Sequence, residues 1–212
     1  TNYWVPVSYE SYEKNPNNTG IFEKVSLFVS AIMFISGIVI VIFKDLIFLL
    51  LESSYRSAAG LTSFLLLMPI IDTVSYVTTV GINFKKKTYL YIIRATIAAI
   101  INVVGNIFLV PKYGAEGAAL STAISYVVYF FIGTYFSQKL YSVNYHLSKF
   151  YISTFVFLLV SFINTFIPII YLQVISAVVG FVIICYLYKD QIFYLLNITK
   201  AGVDKVRKSK TK

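Results

Sequence analysis

The amino-acid sequence predicts an all-α protein, a polytopic transmembrane helix bundle with six spanning helices. Of its 212 residues, 58% are hydrophobic and 13% are charged, against roughly 45–50% and 25% in soluble domains. So few charged side chains could not cover the surface of a water-soluble fold, which excludes an ordinary soluble enzyme. The apolar runs are continuous over about 20 residues, as in spanning helices, whereas the strands of a membrane β-barrel alternate over about ten.

The first part of the chain predicts a helix end, a loop and one spanning helix. Residues 1–24 carry Tyr, Trp and Val near their start, typical of the end of a preceding helix, and continue as a polar, Asn-rich loop over 8–20. Residues 25–43 hold no charged side chain and are flanked by lysines, which predicts the first span. Residues 45–59 mix Leu and Phe with charged side chains and indicate an interfacial or bending segment.

The middle of the chain predicts three further spans. The second covers residues 61–81, and Pro69 within it predicts a kink because proline removes a helical hydrogen bond. The third and fourth cover 90–110 and 117–136. Pro and Gly between them predict a short turn over 111–116.

The last third predicts two more spans and a tail. Residues 150–166 and 169–188 are almost free of charge, and Pro168 between them indicates a tight turn. Residues 189–212 are rich in lysine and form a basic tail, which we expect to lie on anionic lipid.

The charge of +9 predicts an orientation in the membrane. With six spans, 15 of the 18 Lys and Arg side chains fall on the side that holds the N-terminal segment and the tail. The other side holds Lys44, Arg56 and Lys112. Cytoplasmic loops carry the excess of Lys and Arg, so both ends of the chain are predicted to be cytoplasmic. The alternative, nucleic-acid binding, is disfavoured because the charge is spread over loops without a recognition motif.

The residue counts disfavour several kinds of chemistry. One cysteine, Cys185, cannot form a disulfide within the chain, and with the single His146 it cannot build a zinc site. A lone histidine in a polar loop also disfavours a nucleophilic triad, and there is no Gly-rich phosphate loop. We therefore expect no enzyme activity, no metal and no cofactor. The chain begins TNYWVPV, without an initiator Met or a signal peptide, and we expect it to be the C-terminal part of a longer protein.

A polar stripe on the second span is the first candidate site. Asp72, Ser75, Tyr76 and Thr79 follow the spacing of one helix face, and Pro69 lies one turn earlier. A carboxylate inside a membrane is costly, so a cavity or a partner is expected beside it. The stripe predicts either the lining of an aqueous cavity or a hydrogen-bond network between helices.

The third span holds the second candidate group, at intervals of about four residues: Arg94, Asn102 and Asn106. Arg94 is expected either to extend to the lipid headgroups or to face the cavity and pair with Asp72 or an anionic ligand. The two asparagines are expected to join helices or to contact a ligand. On the fourth span a stripe of small residues predicts close approach of another helix: Gly114, Ala118, Ser121 and Ser125.

Residues 102–126, NVVGNIFLVPKYGAEGAALSTAISY, resemble the polysaccharide-exporter branch of the multidrug/oligosaccharidyl-lipid/polysaccharide exporter superfamily. Members typically show an Asn-rich helix followed by a "PKYG-x-x-GAA-x-x-T-x-x-S" turn and helix. Residues 4–15 look like the end of the eighth helix and its loop in Wzx-type flippases, and 44–58 are similar to the segment after the ninth. The motif positions are Asn102, Asn106, Pro111, Tyr113, Gly114, Gly117, Ala118, Ala119, Thr122 and Ser125.

This resemblance implies a fold like that of the MATE transporters, with two six-helix lobes and two extra helices. Residues 25–136 would then be four helices of the C-terminal lobe, 137–188 the two additional helices, and 1–24 the end of a preceding helix with its cytoplasmic loop. The N-terminal lobe would be a missing partner.

The implied function is translocation of undecaprenyl-diphosphate-linked oligosaccharide across the bacterial inner membrane by alternating access. Such oligosaccharides are repeat units of O-antigen (the outer part of lipopolysaccharide), capsule or exopolysaccharide. The expected partners are this lipid, membrane lipids and a polysaccharide polymerase, with H⁺ or Na⁺ coupled through Asp72. The alternatives are a multidrug or lipid II exporter, a truncated chain that is inactive in transport, and a membrane-embedded transferase, which would want clustered catalytic side chains.

Overall fold

A computed structural model describes residues 3–50 and 59–197. This part of the chain is helical and holds no strand, which confirms the all-α prediction. Five helical stretches of the described residues are long and apolar enough to cross a membrane, with residues 89–140 counted as one, so the chain is a multi-pass membrane protein. The helices are α1 (Trp4–Lys14), α2 (Gly20–Leu49), α3 (Ala59–Leu65), α4 (Leu67–Thr78), α5 (Val80–Phe84), α6 (Tyr89–Leu140), α7 (Leu147–Phe166) and α8 (Ile170–Leu187).

The first span is confirmed, and the loop before it is shorter than predicted. α2 includes all of residues 25–43 and continues to Leu49, so the predicted bending segment begins as helix. Its remainder, with Glu52 and Arg56, lies outside the described residues. The predicted loop over 8–20 is wrong for its first half, because α1 continues to Lys14. Two tyrosines of α1 pack against a buried ring of α5, and this contact favours the helix.

The second span is interrupted, as Pro69 predicted, and falls into α3, α4 and α5. The first break lies at Leu66, within one turn of Pro69, where the missing proline N–H weakens the helix. A second break lies at Thr79, whose hydroxyl donates to the carbonyl oxygen of Ser75. Between these breaks, α4 packs against both α2 and α6.

α6 is a hairpin of two arms, residues 89–113 and 115–140. The chain reverses at Gly114, whose φ of 57° and ψ of −131° are accessible mainly to glycine. The arms then run side by side, since the Ser121 hydroxyl donates to the carbonyl oxygen of Asn102. Each arm is about 37 Å long at 1.5 Å per residue, enough for a bilayer core of about 30 Å. The two arms match the predicted third and fourth spans. The predicted turn over 111–116 is shorter in the structure, where only Gly114 departs from helical geometry.

α7 and α8 match the last two predicted spans. α7 ends at Phe166 and α8 begins at Ile170, with Pro168 in the turn between them. The chain turns at Tyr188 and continues as helix over 189–197, the part of the predicted basic tail that the structure describes.

Two clusters of buried side chains hold the bundle together. The larger one joins α2, α4, α7, α8 and the second arm of α6, with Phe34, Ile71 and Phe157 fully buried. The smaller one lies at one end of the bundle and brings α1, the start of α2, the end of α5 and the loop before α7 together. Many apolar side chains of the first arm face outward, including Ile92 and Phe108 at 70% and 68% exposure, as expected of a surface in lipid.

Candidate functional site

Arg94 is the centre of the candidate site. It lies on the first arm of α6 opposite α4 and is 5% exposed. Its Nη1 donates a hydrogen bond of 2.7 Å to the hydroxyl of Ser75. Its Cζ lies 4.0 Å from the ring centroid of Tyr129 and 4.7 Å from that of Tyr91, so both rings contribute cation–π contacts. The guanidinium is therefore enclosed by protein, and the expectation that it extends to the headgroups is wrong.

Among the residues that the structure describes, no carboxylate contacts the positive charge of Arg94. Asp72 is near enough to interact with it electrostatically, but no ion pair of 4.0 Å or less joins these two described residues. The expected contact between them is absent because Ser75, one turn further along α4, receives the guanidinium. The Nε of Arg94 is buried and has no hydrogen-bond partner among the described residues. A buried donor left without a partner is costly, so this N–H suits an external acceptor.

Gly133 on the second arm makes room for Arg94. A Cβ at this glycine would lie 2.6 Å from Nη1 and 2.9 Å from Cδ of the arginine. Only a residue without a side chain lets the arginine cross the second arm in this place. The position of the charge thus depends on the packing of the two arms.

A cavity of about 330 Å³ opens beside the arginine. The hydroxyl of Tyr91 donates toward the carbonyl oxygen of Thr79 at 3.2 Å and toward Oδ1 of Asn83 at 2.9 Å, which fixes one wall. Tyr76 is 48% exposed and forms another wall. The lining residues are Val5, Tyr76, Thr79, Val80, Asn83, Tyr91 and Arg94.

A second cavity, of about 510 Å³, lies on the other side of Tyr129. Asn102 lines it and donates to the hydroxyl of Thr122 at 3.2 Å, which joins the two arms. Asn106 donates to Oδ1 of Asn102 at 3.2 Å, and its own Oδ1 is buried without a partner. The lining residues are Met68, Ala95, Ala98, Ala99, Asn102, Thr122, Tyr126 and Tyr129.

The structure brings most of the predicted site residues together. Tyr76, Thr79 and Arg94 line the first cavity, Ser75 is buried behind it as the partner of Arg94, and Asn102 lines the second. Asn106 is one turn further along and reaches the site only through Asn102. Asp72, the first residue of the stripe, forms no hydrogen bond or ion pair among those that the structure describes.

Sequence reasoning missed three residues of this site: Tyr91, Tyr129 and Gly133. Tyr91 lies three residues before Arg94 on the same helix, so helical spacing could have identified it. Tyr129 and Gly133 belong to the other arm, and their register against Arg94 is set by the bend at Gly114. The spacing of residues within one helix cannot predict this register between the two arms.

No protein-family model, curated protein or solved structure matches the chain. The resemblance of residues 102–126 to polysaccharide exporters therefore rests on that motif. Within residues 3–50 and 59–197, no group of three or more His, Cys, Asp or Glu side chains could hold a metal ion.

Proposed function

We propose that the chain is the C-terminal part of a flippase that moves undecaprenyl-diphosphate-linked oligosaccharide across the bacterial inner membrane. The observation that carries this proposal is Arg94, a buried cation at a cavity, with a buried N–H that no described residue accepts from. A lipid-linked oligosaccharide presents the complementary group, a diphosphate that must pass through hydrocarbon. The motif at residues 102–126 independently favours the exporter superfamily, without selecting a substrate within it.

The chemistry of guanidinium and diphosphate is well matched. Arginine is charged at all physiological pH values and offers planar, paired donors that fit phosphate oxygens. In an enclosed site the interaction is stronger than in water because the effective dielectric constant is lower. Hydrogen bonds from Arg94 would thus replace those that the diphosphate loses when it leaves water.

The surroundings of the arginine suit a sugar. The exposed ring of Tyr76 and the amide of Asn83 lie around the first cavity, and the amide of Asn102 lies beside the second. Aromatic rings with a few well-placed polar groups are the usual lining of a small-molecule site. These groups would bind the first sugars after the diphosphate.

The polyprenyl tail needs an apolar path, and α7 and α8 offer one. A groove of about 370 Å³ between them is lined almost entirely by aliphatic side chains such as Leu159, Ile163 and Val179. The described part of these two helices carries a single charged side chain, Lys149, near one end. The tail would stay in this groove and in the surrounding lipid while the polar head crosses.

Transport requires that the cavity faces each side of the membrane in turn. In the proposed mechanism the missing N-terminal lobe completes the cavity, and the two lobes rock around a bound head. H⁺ or Na⁺ would couple through Asp72, a carboxylate at a depth where charge is costly. The excess of lysine at one end of the bundle orients both ends of the chain to the cytoplasm.

Reconstitution of the complete protein tests this function. Liposomes would contain a fluorescent undecaprenyl-diphosphate-linked oligosaccharide, and a membrane-impermeant quencher would report its transfer between leaflets. We expect transfer by the wild type and loss of it in Arg94→Gln, with Arg94→Lys intermediate because it keeps the charge without the planar fork.

The matched control is Lys112→Gln, which removes an exposed cation near the bend at Gly114 and should leave the rate unchanged. Equal transfer of the same oligosaccharide on a neutral polyprenol carrier would contradict a diphosphate site. So would full activity of Arg94→Gln. Transport of organic cations instead would favour the multidrug alternative.

A further inference from the structure

We infer that Tyr129, Tyr91 and Gly133 are positioning residues that hold the Arg94 guanidinium as a fixed receptor for an oxyanion. The inference rests on the proposed function and extends it to residues outside the sequence motif. It concerns how the charge is held, whereas the proposed function concerns what the charge binds.

The first step is the orientation of the guanidinium. The centroids of two tyrosine rings lie 4.0 and 4.7 Å from its Cζ, so the guanidinium is in contact with both rings. The N–H groups of a guanidinium point outward in its plane. The ring contacts are not hydrogen bonds, so these N–H groups remain as donors, and Nη1 uses one of them on Ser75.

The second step is the rigidity of the rings. The hydroxyl of Tyr91 has two acceptors, the carbonyl oxygen of Thr79 and Oδ1 of Asn83, on the segment opposite. This ring is consequently anchored between α5 and the first arm. Tyr129 comes from the second arm, so the two rings approach the arginine from different helical segments.

The third step is the space at Gly133. Its missing side chain lets the Arg94 stem lie against the second arm, within 3 Å of where a Cβ would stand. A methyl group there would displace the flexible tip of the arginine, because that tip can move more easily than the helix backbone. Gly133→Ala therefore moves the charge without removing it or either ring.

A role only in folding predicts a different result from a role in positioning. If the rings merely stabilise a buried charge, their loss lowers stability and leaves the affinity of the folded protein unchanged. If they position the guanidinium, their loss weakens oxyanion binding in protein that is still folded. Binding affinity and melting temperature must therefore be measured on the same samples.

The experiment measures binding of farnesyl diphosphate to the complete protein in nanodiscs by calorimetry, with farnesol as the neutral control. We expect Tyr129→Leu and Gly133→Ala each to weaken farnesyl diphosphate binding about tenfold, the scale of one desolvated cation–π contact. Tyr129→Phe keeps the ring and should bind within about twofold of the wild type. Tyr91→Phe keeps the ring but removes the hydroxyl that anchors it, so we expect a smaller loss of affinity than in Tyr129→Leu.

The controls are Tyr135→Leu, an exposed tyrosine on the same arm, and Gly60→Ala, where a Cβ would meet no atom closer than 3.9 Å. Wild-type affinity in folded Tyr129→Leu and Gly133→Ala, together with loss of binding in Arg94→Gln, would overturn the inference and leave the proposed function standing. Wild-type affinity in Arg94→Gln would overturn the proposed function. If Gly133→Ala fails to fold, the difference in farnesyl diphosphate affinity between Tyr129→Leu and Tyr129→Phe tests the inference.

Discussion

The hydroxyl of Ser121 donates a hydrogen bond of 2.9 Å to the main-chain carbonyl of Asn102, and this bond fastens the two arms of α6 to each other. The arms approach closely enough that a Cβ at Gly105 would lie 2.3 Å from that hydroxyl oxygen. Small residues at such contacts are how membrane helices pack without a hydrophobic driving force. The relative register of Arg94, Tyr129 and Gly133 follows from this contact.

Gly117→Ala should destabilise the hairpin. A Cβ at Gly117 would lie 2.4 Å from the carbonyl oxygen of Leu109, a backbone atom that cannot turn aside. We expect a loss of about 1–3 kcal/mol in the free energy of unfolding, the usual effect of overpacking. Thermal unfolding in detergent measures it, and Gly60→Ala serves as the matched helical control. Equal melting temperatures for both variants would show that the arms do not pack as described.

The two arms of α6 should place Lys86 and Lys112 on opposite sides of the membrane. Lys86 precedes the first arm and Lys112 lies next to the bend, and both are exposed. In a background with Cys185→Ser, a single cysteine at position 112 should react with an impermeant maleimide in intact cells, and one at position 86 should react only in inside-out vesicles. A cysteine at Lys139, near the end of the second arm, should react from the same side as one at Lys86.

Reaction of all three cysteines from one side would contradict a hairpin that crosses the membrane twice. Reaction of Lys86→Cys from the outside would reverse the proposed orientation but preserve the hairpin.

Asp72→Asn should uncouple transport from the ion gradient. The carboxylate is partly enclosed and has no ion pair within the described chain, and an ionisable side chain inside a membrane marks a candidate site for ion coupling. We expect the dependence of transport on an imposed pH or Na⁺ gradient to disappear in proteoliposomes. Asp190→Asn, an exposed aspartate after α8, is the control. An unchanged gradient dependence in Asp72→Asn would remove Asp72 from the coupling mechanism.

Tyr145→Phe should make the protein more resistant to alkali. Tyr145 lies in the loop before α7, is 4% exposed, and directs its hydroxyl to the carbonyl oxygen of Val77 at 3.4 Å. Burial raises its pKa above the usual value of 10.0 because the phenolate would lose its hydration. The native state then holds its proton more tightly than the unfolded state does.

The sign of the effect follows from this difference in proton binding. The contribution of Tyr145 to stability is full below about pH 10 and falls as the pH rises toward its native pKa. Unfolding measured between pH 8 and about 11 should therefore show a shallower decline in Tyr145→Phe than in the wild type. Tyr3→Phe, at an exposed position, should keep the wild-type slope, and parallel slopes for all three proteins would refute the prediction.

The helices were predictable because each apolar run is a local property of the sequence. Residues 25–43 identified α2, and Pro168 identified the turn between α7 and α8, because hydropathy and proline act through a few neighbouring residues. The extent of α1 was not predictable, because Tyr9 and Tyr12 are polar enough to suit a loop until their contact with Phe84 is known.

The candidate site was predictable in part for the same reason. Helical spacing gathered Ser75, Tyr76 and Thr79 on one face, and its recurrence with Asn102 and Asn106 at intervals of about four residues marked Arg94 as a candidate. Spacing could not choose between Asp72 and Ser75 as the partner of the arginine, since both lie on the stripe. Which of the two residues bonds to Arg94 depends on the axial position of α6 relative to α4, and that position is set by tertiary packing.

The hairpin also sets the order in which the site can be made. Arg94 leaves the ribosome before the bend at Gly114, so the first arm emerges ahead of the segment that carries Tyr129 and Gly133. At about 5–20 residues per second, this interval is on the order of seconds. A lone arginine inserts at a cost of about 2.5–3.5 kcal/mol, so the two arms gain by entering the bilayer together, with the arginine already covered by the second. Insertion of the protein into the membrane therefore depends on Gly114. If the bend there forms late, the first arm carries its uncovered arginine until the second arm arrives.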